Sequence, residues 1–185
     1  MLSFKQKLCI TLSVLTSGLL ATAQTAPKPS SERRPLLEVV RMSWSVERDE
    51  TLLYLRVYSD GFAEADPMRQ VDFRDVKLKT KQLSSEELAA LANLLADKDT
   101  APLLPEYSSF WGNKDFGYIY EITISEPSRK QLKLVNFNPF LARKEGKPYP
   151  KQLEKLGCSV WRLRTEVSGE PLEKNWLKGC AELGY

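Results

Sequence analysis

From Leu36 onward the chain alternates. Val40, Met42, Trp44 and Val46 take turns with Arg41, Ser43, Ser45 and Glu47, and beyond a charged stretch Leu53, Leu55 and Val57 take turns with Tyr54, Arg56 and Tyr58. A period of two is the signature of strands, because successive side chains of an extended backbone point to opposite faces. Asp60-Gly61 closes the second run. That dipeptide favours a tight hairpin turn and predicts a third short strand at Phe62 to Ala65. Pro67 interrupts it, and in the next run Val71 and Phe73 fall on one parity while Val76, Leu78 and Thr80 fall on the other, which predicts a bulge near Asp75.

The helix after that run carries its own start signal. Ser84 can accept from a free amide of the first turn while Glu87 reaches back to the Ser84 amide, and Leu83 with Leu88 forms the flanking staple. Leu88, Leu91, Ala92 and Leu95 then recur at helical spacing. Asp97 to Asp115 reads as a long connection punctuated by Pro102, Pro105, Gly112 and Asn113. A second hairpin is expected over Gly117 to Ser125 and Lys130 to Asn138, turning through Glu126-Pro127-Ser128-Arg129. Pro150 suits the first turn of a second helix whose apolar side holds Leu153, Leu156, Val160, Leu163 and Val167. The expectation is one α+β domain over residues 36 to 185. It has a mostly antiparallel sheet of five to six strands, two main helices on one face, the order β-β-β-α-β-β-α and a short C-terminal tail.

The N-terminus has the three-part order of a secretory signal. Lys5 and Lys7 precede an apolar run from Leu8 to Leu20, and Ala21-Thr22-Ala23 stands before Gln24. The run is shorter than the roughly 20 apolar residues of a membrane span, so cleavage after Ala23 with no stable anchor is expected. Residues 24 to 35, polar and proline-rich, read as a flexible leader. A periplasmic or secreted location follows, and Cys9 leaves with the signal. The remaining Cys158 and Cys180 are expected to pair in an oxidising compartment. Cys158 is rotated away from the apolar stripe, and the tail bearing Leu172, Trp176 and Leu177 is expected to bring Cys180 to it and to cover Trp161.

Composition removes whole classes of activity. There is no histidine, so serine and cysteine mechanisms with an imidazole base, and histidine-dependent zinc sites, are excluded. Losing Lys5 and Lys7 leaves 25 basic against 24 acidic residues, and no basic run supports nucleic-acid binding. No phosphate-binding or dinucleotide glycine pattern is present, and no cofactor is expected. A Ser-Lys arrangement of Ser84 and Ser85 with Lys79 or Lys81 competes with the capping role, which explains both serines. Asp60, Glu64, Asp66, Asp72 and Asp75 crowd one turn and the following run, without the alternation and glycine of a calcium loop.

The element order is similar to that of emfourin-type inhibitors of metalloproteases. The matching features are Tyr54 to Gly61, the Leu83-Ser84-Ser85-Glu86-Glu87-Leu88 helix start, the strand from Asp115 to Ile124, and Pro150 to Leu156. The resemblance covers most of residues 50 to 165 and implies a small α+β fold. The chain departs from that family in its signal, its longer middle connection and its cysteine-bearing tail, and no inhibitory residue carries over.

Tyr107, Phe110, Trp111 and Phe116 concentrate aromatic area in the long connection and are the candidate partner-binding residues, since loops of this length without regular structure are commonly functional. The competing expectation is that Phe110, Trp111 and Phe116 fold back over the core. The function expected is an exported non-catalytic binding or inhibitory protein whose partner is an envelope protein or protease. The alternative is a carboxylate-based enzyme acting on a polysaccharide.

Overall fold

A computed structural model describes residues 33–45, 49–67, 77–109, 116–170, 179–182 and 184. The signal, most of the leader, Phe110, Trp111, Asp72, Asp75 and the tail residues Leu172, Trp176 and Leu177 lie outside the described residues, as does the expected bulge. The elements are β1 (Pro35–Ser45), β2 (Asp49–Tyr58), β3 (Phe62–Ala65), β4 (Lys79–Gln82), α1 (Ser85–Ala96), β5 (Glu106–Ser108), β6 (Phe116–Ile124), β7 (Lys130–Val135), α2 (Pro139–Lys144) and α3 (Lys151–Ser168). No helix among them is long and apolar enough to cross a membrane.

The architecture is α+β. Seven strands form one sheet in the order β4-β3-β2-β1-β6-β7-β5, and every pairing is antiparallel except β5 with β7. Three features correct the expected order. The connection from Asp97 onward contains β5, a three-residue edge strand that takes its hydrogen bonds from β7. The run after Pro67 contributes β4 only at its end, from Lys79. A short helix, α2, precedes α3: Asn138 caps it by accepting from Leu141 N and Pro139 occupies its first turn.

Register shifts shape the central strands. Leu37 pairs Val57 and Val39 pairs Leu55, yet Val40 pairs Leu53, so Tyr54 is an extra residue on β2; Leu36 is likewise extra on β1. Each bulge puts two adjacent side chains into the interior. Leu36, Leu37, Tyr54 and Leu55 are all buried. They join Val39, Val57, Ile122, Ile124, Leu132 and Leu134 beneath Leu91 and Leu95 of α1 and Leu153, Leu156, Val160, Leu163 and Val167 of α3. Val40, Met42 and Trp44 lie on the opposite face and are half-buried. Trp44 rests on Gly117, where a Cβ would stand 2.0 Å from its ring.

The capping box at Ser84 is present in both directions, with Glu87 N donating to Ser84 Oγ at 3.1 Å and Ser84 N donating to Glu87 Oε2 at 2.7 Å. Gly61 turns the chain at φ +83°, a left-handed conformation that glycine adopts without strain. Cys158 and Cys180 form a disulfide with Cα atoms 5.8 Å apart, and both are buried. Trp161 is buried against Phe137 and Phe140, at ring separations of 5.7 and 6.3 Å; the tail segment expected to cover it lies outside the described residues. Phe140 in turn packs on the backbone of Gly179, where a Cβ would stand 2.3 Å from the ring.

Candidate functional site

Of the acidic residues singled out in the sequence, Asp60, Glu64 and Asp66 are described, and each is held by its own local donors. Asp60 pairs with Arg33 at 3.1 Å and accepts from Phe62 N at 3.1 Å, which makes it a turn residue. Glu64 is buried, and one oxygen accepts from Arg56 Nη1 at 2.8 Å and from the Tyr58 hydroxyl at 2.7 Å. Asp66 accepts from Leu53 N at 2.6 Å. Each carboxylate has its own local donor, and among the described residues no three acids or cysteines are placed to hold a metal ion. Ser84 is committed to its cap, and Lys81 to Glu87 and Glu166 at 2.8 and 2.9 Å.

Of the candidate aromatic residues, Tyr107 and Phe116 are described, and the fold separates them. Tyr107 sits on β5, paired across β7 with Leu134; its hydroxyl accepts from Leu104 N at 2.8 Å and its ring meets Tyr149 edge-on at 6.2 Å. It lines a cavity of about 510 Å³ with Leu103, Gln152 and Lys155. Phe116 opens β6 opposite Ser45 and is 52% exposed.

Phe116 belongs to a row that the loop-centred reading missed. Along β6, Phe116, Tyr118 and Tyr120 share one face, because every second residue of a strand does. The Tyr118 and Tyr120 rings meet edge-on at 5.4 Å, and Tyr120 meets Tyr54 of β2 edge-on at 5.0 Å. The row thus runs from the core at Tyr54 to solvent at Phe116. Two arginines flank it. Arg41, opposite Tyr120 on β1, leans toward the open end, with its guanidinium carbon 5.8 Å from the Tyr118 ring centre. Arg164 of α3 lies 5.3 Å from the Tyr54 ring centre.

These arginines are incompletely paired. Arg164 is 2% exposed; its Nη2 donates to the Asp66 carbonyl and reaches Glu170 at 3.4 Å, while Nε and Nη1 are buried without an acceptor. Nε of Arg41 is buried without an acceptor as well. Burial pushes the Tyr54 phenol well above its ordinary range and raises that of Tyr120, while both arginines pull the other way. Burial also lowers Arg164 from the usual arginine range, against the pull of Tyr54, Glu170 and Asp66 toward the charged form. The row offers protonated phenols, ring faces and cationic N–H donors.

A second cavity, of about 670 Å³, lies between α1 and α3 beside the disulfide. Among the groups lining it, Glu87 and Glu166 share Lys81, and Glu86, Lys155 and Arg162 are exposed. The alternating pattern showed that Tyr118 and Tyr120 share a face of β6, but Arg41 and Arg164 are 123 residues apart in sequence and no local signal links them. No protein-family model matches this chain, and no curated protein matches it in sequence.

Proposed function

We propose that this chain is an exported, non-catalytic binding protein that engages a protein partner in the cell envelope through the open end of the aromatic row. The observation that supports this reading is Phe116, 52% exposed at the end of a strand whose neighbouring rings are packed. A large apolar side chain held out to water on a rigid strand loses little conformational entropy when a partner covers it. The resemblance to emfourin-type inhibitors makes a metalloprotease the first partner class to assay.

Two measurements test the reading. Mass spectrometry of the exported form is expected to show an N-terminus at Gln24; a chain retaining Met1 removes the envelope from the proposal. A pull-down from periplasmic extract compares the natural chain with Phe116→Ser. The expected result is a species captured by the first and lost with the second at an unchanged melting temperature. Equal capture by both overturns the assignment of the site.

A further inference from the structure

We propose that the cleft between α1 and α3 binds a zwitterion with an apolar side chain, an amino acid such as leucine either free or as a short peptide with both termini unblocked. The site is separate from the aromatic row and goes beyond the binding reading above. Its starting point is a gap that two clamps hold open. At one end Lys81 Nζ donates to Glu87 in the first turn of α1 at 2.8 Å and to Glu166 in the last turn of α3 at 2.9 Å. At the other, Gln152 Nε2 in the first turn of α3 donates to the Leu94 carbonyl in the last turn of α1 at 3.1 Å. The helices are therefore antiparallel, and from Glu87 to Leu94 the cleft runs about 10 Å.

Small residues leave the gap unfilled. Ala90 of α1 and Ser159 of α3 both line it, and neither side chain reaches far from its own backbone. The space measures about 670 Å³, inside the range of about 300–1,000 Å³ usual for small-molecule sites. Its floor is apolar: Leu91, Leu163 and the Cys158–Cys180 bond line it, and all are buried. An apolar side chain laid there leaves water for a surface that the disulfide holds in place.

The walls carry opposite charges. Glu86 and Asp97 line the cleft from α1, and Lys155 and Arg162 line it from α3. Glu86 and Arg162 lie about a turn or less from the Lys81 clamp, and Asp97 and Lys155 about a turn from the Gln152 clamp, so each end sets an acid on one wall and a base on the other. Among the described residues none of the four forms an ion pair. An anion or a cation alone is attracted by one wall and repelled by the other. A ligand with both an ammonium and a carboxylate satisfies the two walls together, each through charge-assisted hydrogen bonds.

Isothermal titration of the disulfide-bonded chain with leucine, leucyl-leucine, N-acetylleucine and leucinamide tests the proposal. The better of the first two is expected to bind saturably and at least about tenfold more tightly than either singly charged analogue, the difference a charged hydrogen bond supplies. Tighter leucine identifies a single amino acid held at one end of the cleft, and tighter leucyl-leucine a peptide that spans both ends. Arg162→Gln combined with Lys155→Gln is expected to remove the preference over leucinamide at an unchanged melting temperature, since both side chains are exposed. Ala90→Phe, which fills the gap from an exposed position, is expected to abolish binding. Zwitterions that bind no better than the singly charged analogues, or not at all, overturn the proposal, as does an affinity that Ala90→Phe leaves unchanged. Phe116 takes no part in these readouts, so the Phe116→Ser pull-down judges the binding reading separately.

Discussion

Gly157 of α3 lies against the ring of Phe137 so closely that a Cβ there would stand 2.6 Å from the ring edge. A glycine in the middle of an 18-residue helix is otherwise unfavourable, so the close approach explains its presence. Phe137 is 1% exposed and also touches Tyr149 and Trp161, which leaves it little room to move. Gly157→Ala is expected to lower stability, because an overpacking cost of about 1–3 kcal/mol exceeds the helix gain of about 1 kcal/mol. Urea unfolding measures the balance, and Phe137→Leu in the same chain is expected to recover part of the loss. A more stable Gly157→Ala protein would show that the ring yields freely.

Glu154 is fully buried in the first turn of α3, and its carboxylate accepts from Nε of Arg143 at 3.2 Å and from Nη2 of the same residue. Removing the cation leaves a charge in the interior. Arg143→Met is expected to destabilise toward the lower end of about 3–5 kcal/mol, since the Arg143 side chain is 39% exposed and water can reach the site. The double variant with Glu154→Leu is expected to regain most of it. Equal unfolding midpoints for the natural chain and Arg143→Met would mean the ion pair contributes nothing.

The Cys158–Cys180 bond closes a segment of 22 residues. Chain-entropy arguments give such a cross-link about 3 kcal/mol, through restriction of the unfolded chain. Alanine at both positions avoids burying hydroxyls where each sulfur is nearly covered. The expected outcome is a lower urea midpoint for Cys158→Ala with Cys180→Ala, matched by the natural chain after reduction; a reduced chain as stable as the oxidised one would contradict it.

The Lys81 hydrogen bond holds the Glu87 carboxyl down to about 2, with help from the Ser84 amide. A depressed carboxylate contributes stability that is complete above its unfolded value near 4.5 and is lost as pH falls toward 2. Lys81 is raised by the same contact, and its share is complete below 10.5 and lost at higher pH. Lys81→Gln is therefore expected to be less stable than the natural chain at pH 7, with the gap narrowing as pH falls from about 4.5 to 2. Unfolding midpoints over that range provide the test, and a constant gap argues against the linkage.

The hairpins, the capping box and the apolar stripe of α3 were legible because each depends on residues close together in sequence. Leu153 and Leu163 are buried for the reason their spacing implied. The cysteine pairing was legible as arithmetic, given two cysteines left once the expected signal is removed. Helix α2 had a signal too, Asn138-Pro139, which the search for long periodic segments passed over. Strand β5 had none, for three residues carry no measurable period and their hydrogen bonds come from β7.

Sequence alone determined the two hairpins and the two long helices and ruled out imidazole chemistry, since local periodicity and the absence of a residue type need no third dimension. It could not say which face of β1 is inside. Val40, Met42 and Trp44 alternate as regularly as Leu37 and Val39, yet the interior is built on Leu37 and Val39, because the helices cover that face of the sheet. Tertiary structure alone decided that Arg41, Tyr54, Tyr120 and Arg164 meet. Their contact depends on pairing three strands and laying a helix across them, and packing of that kind leaves no pattern along the chain.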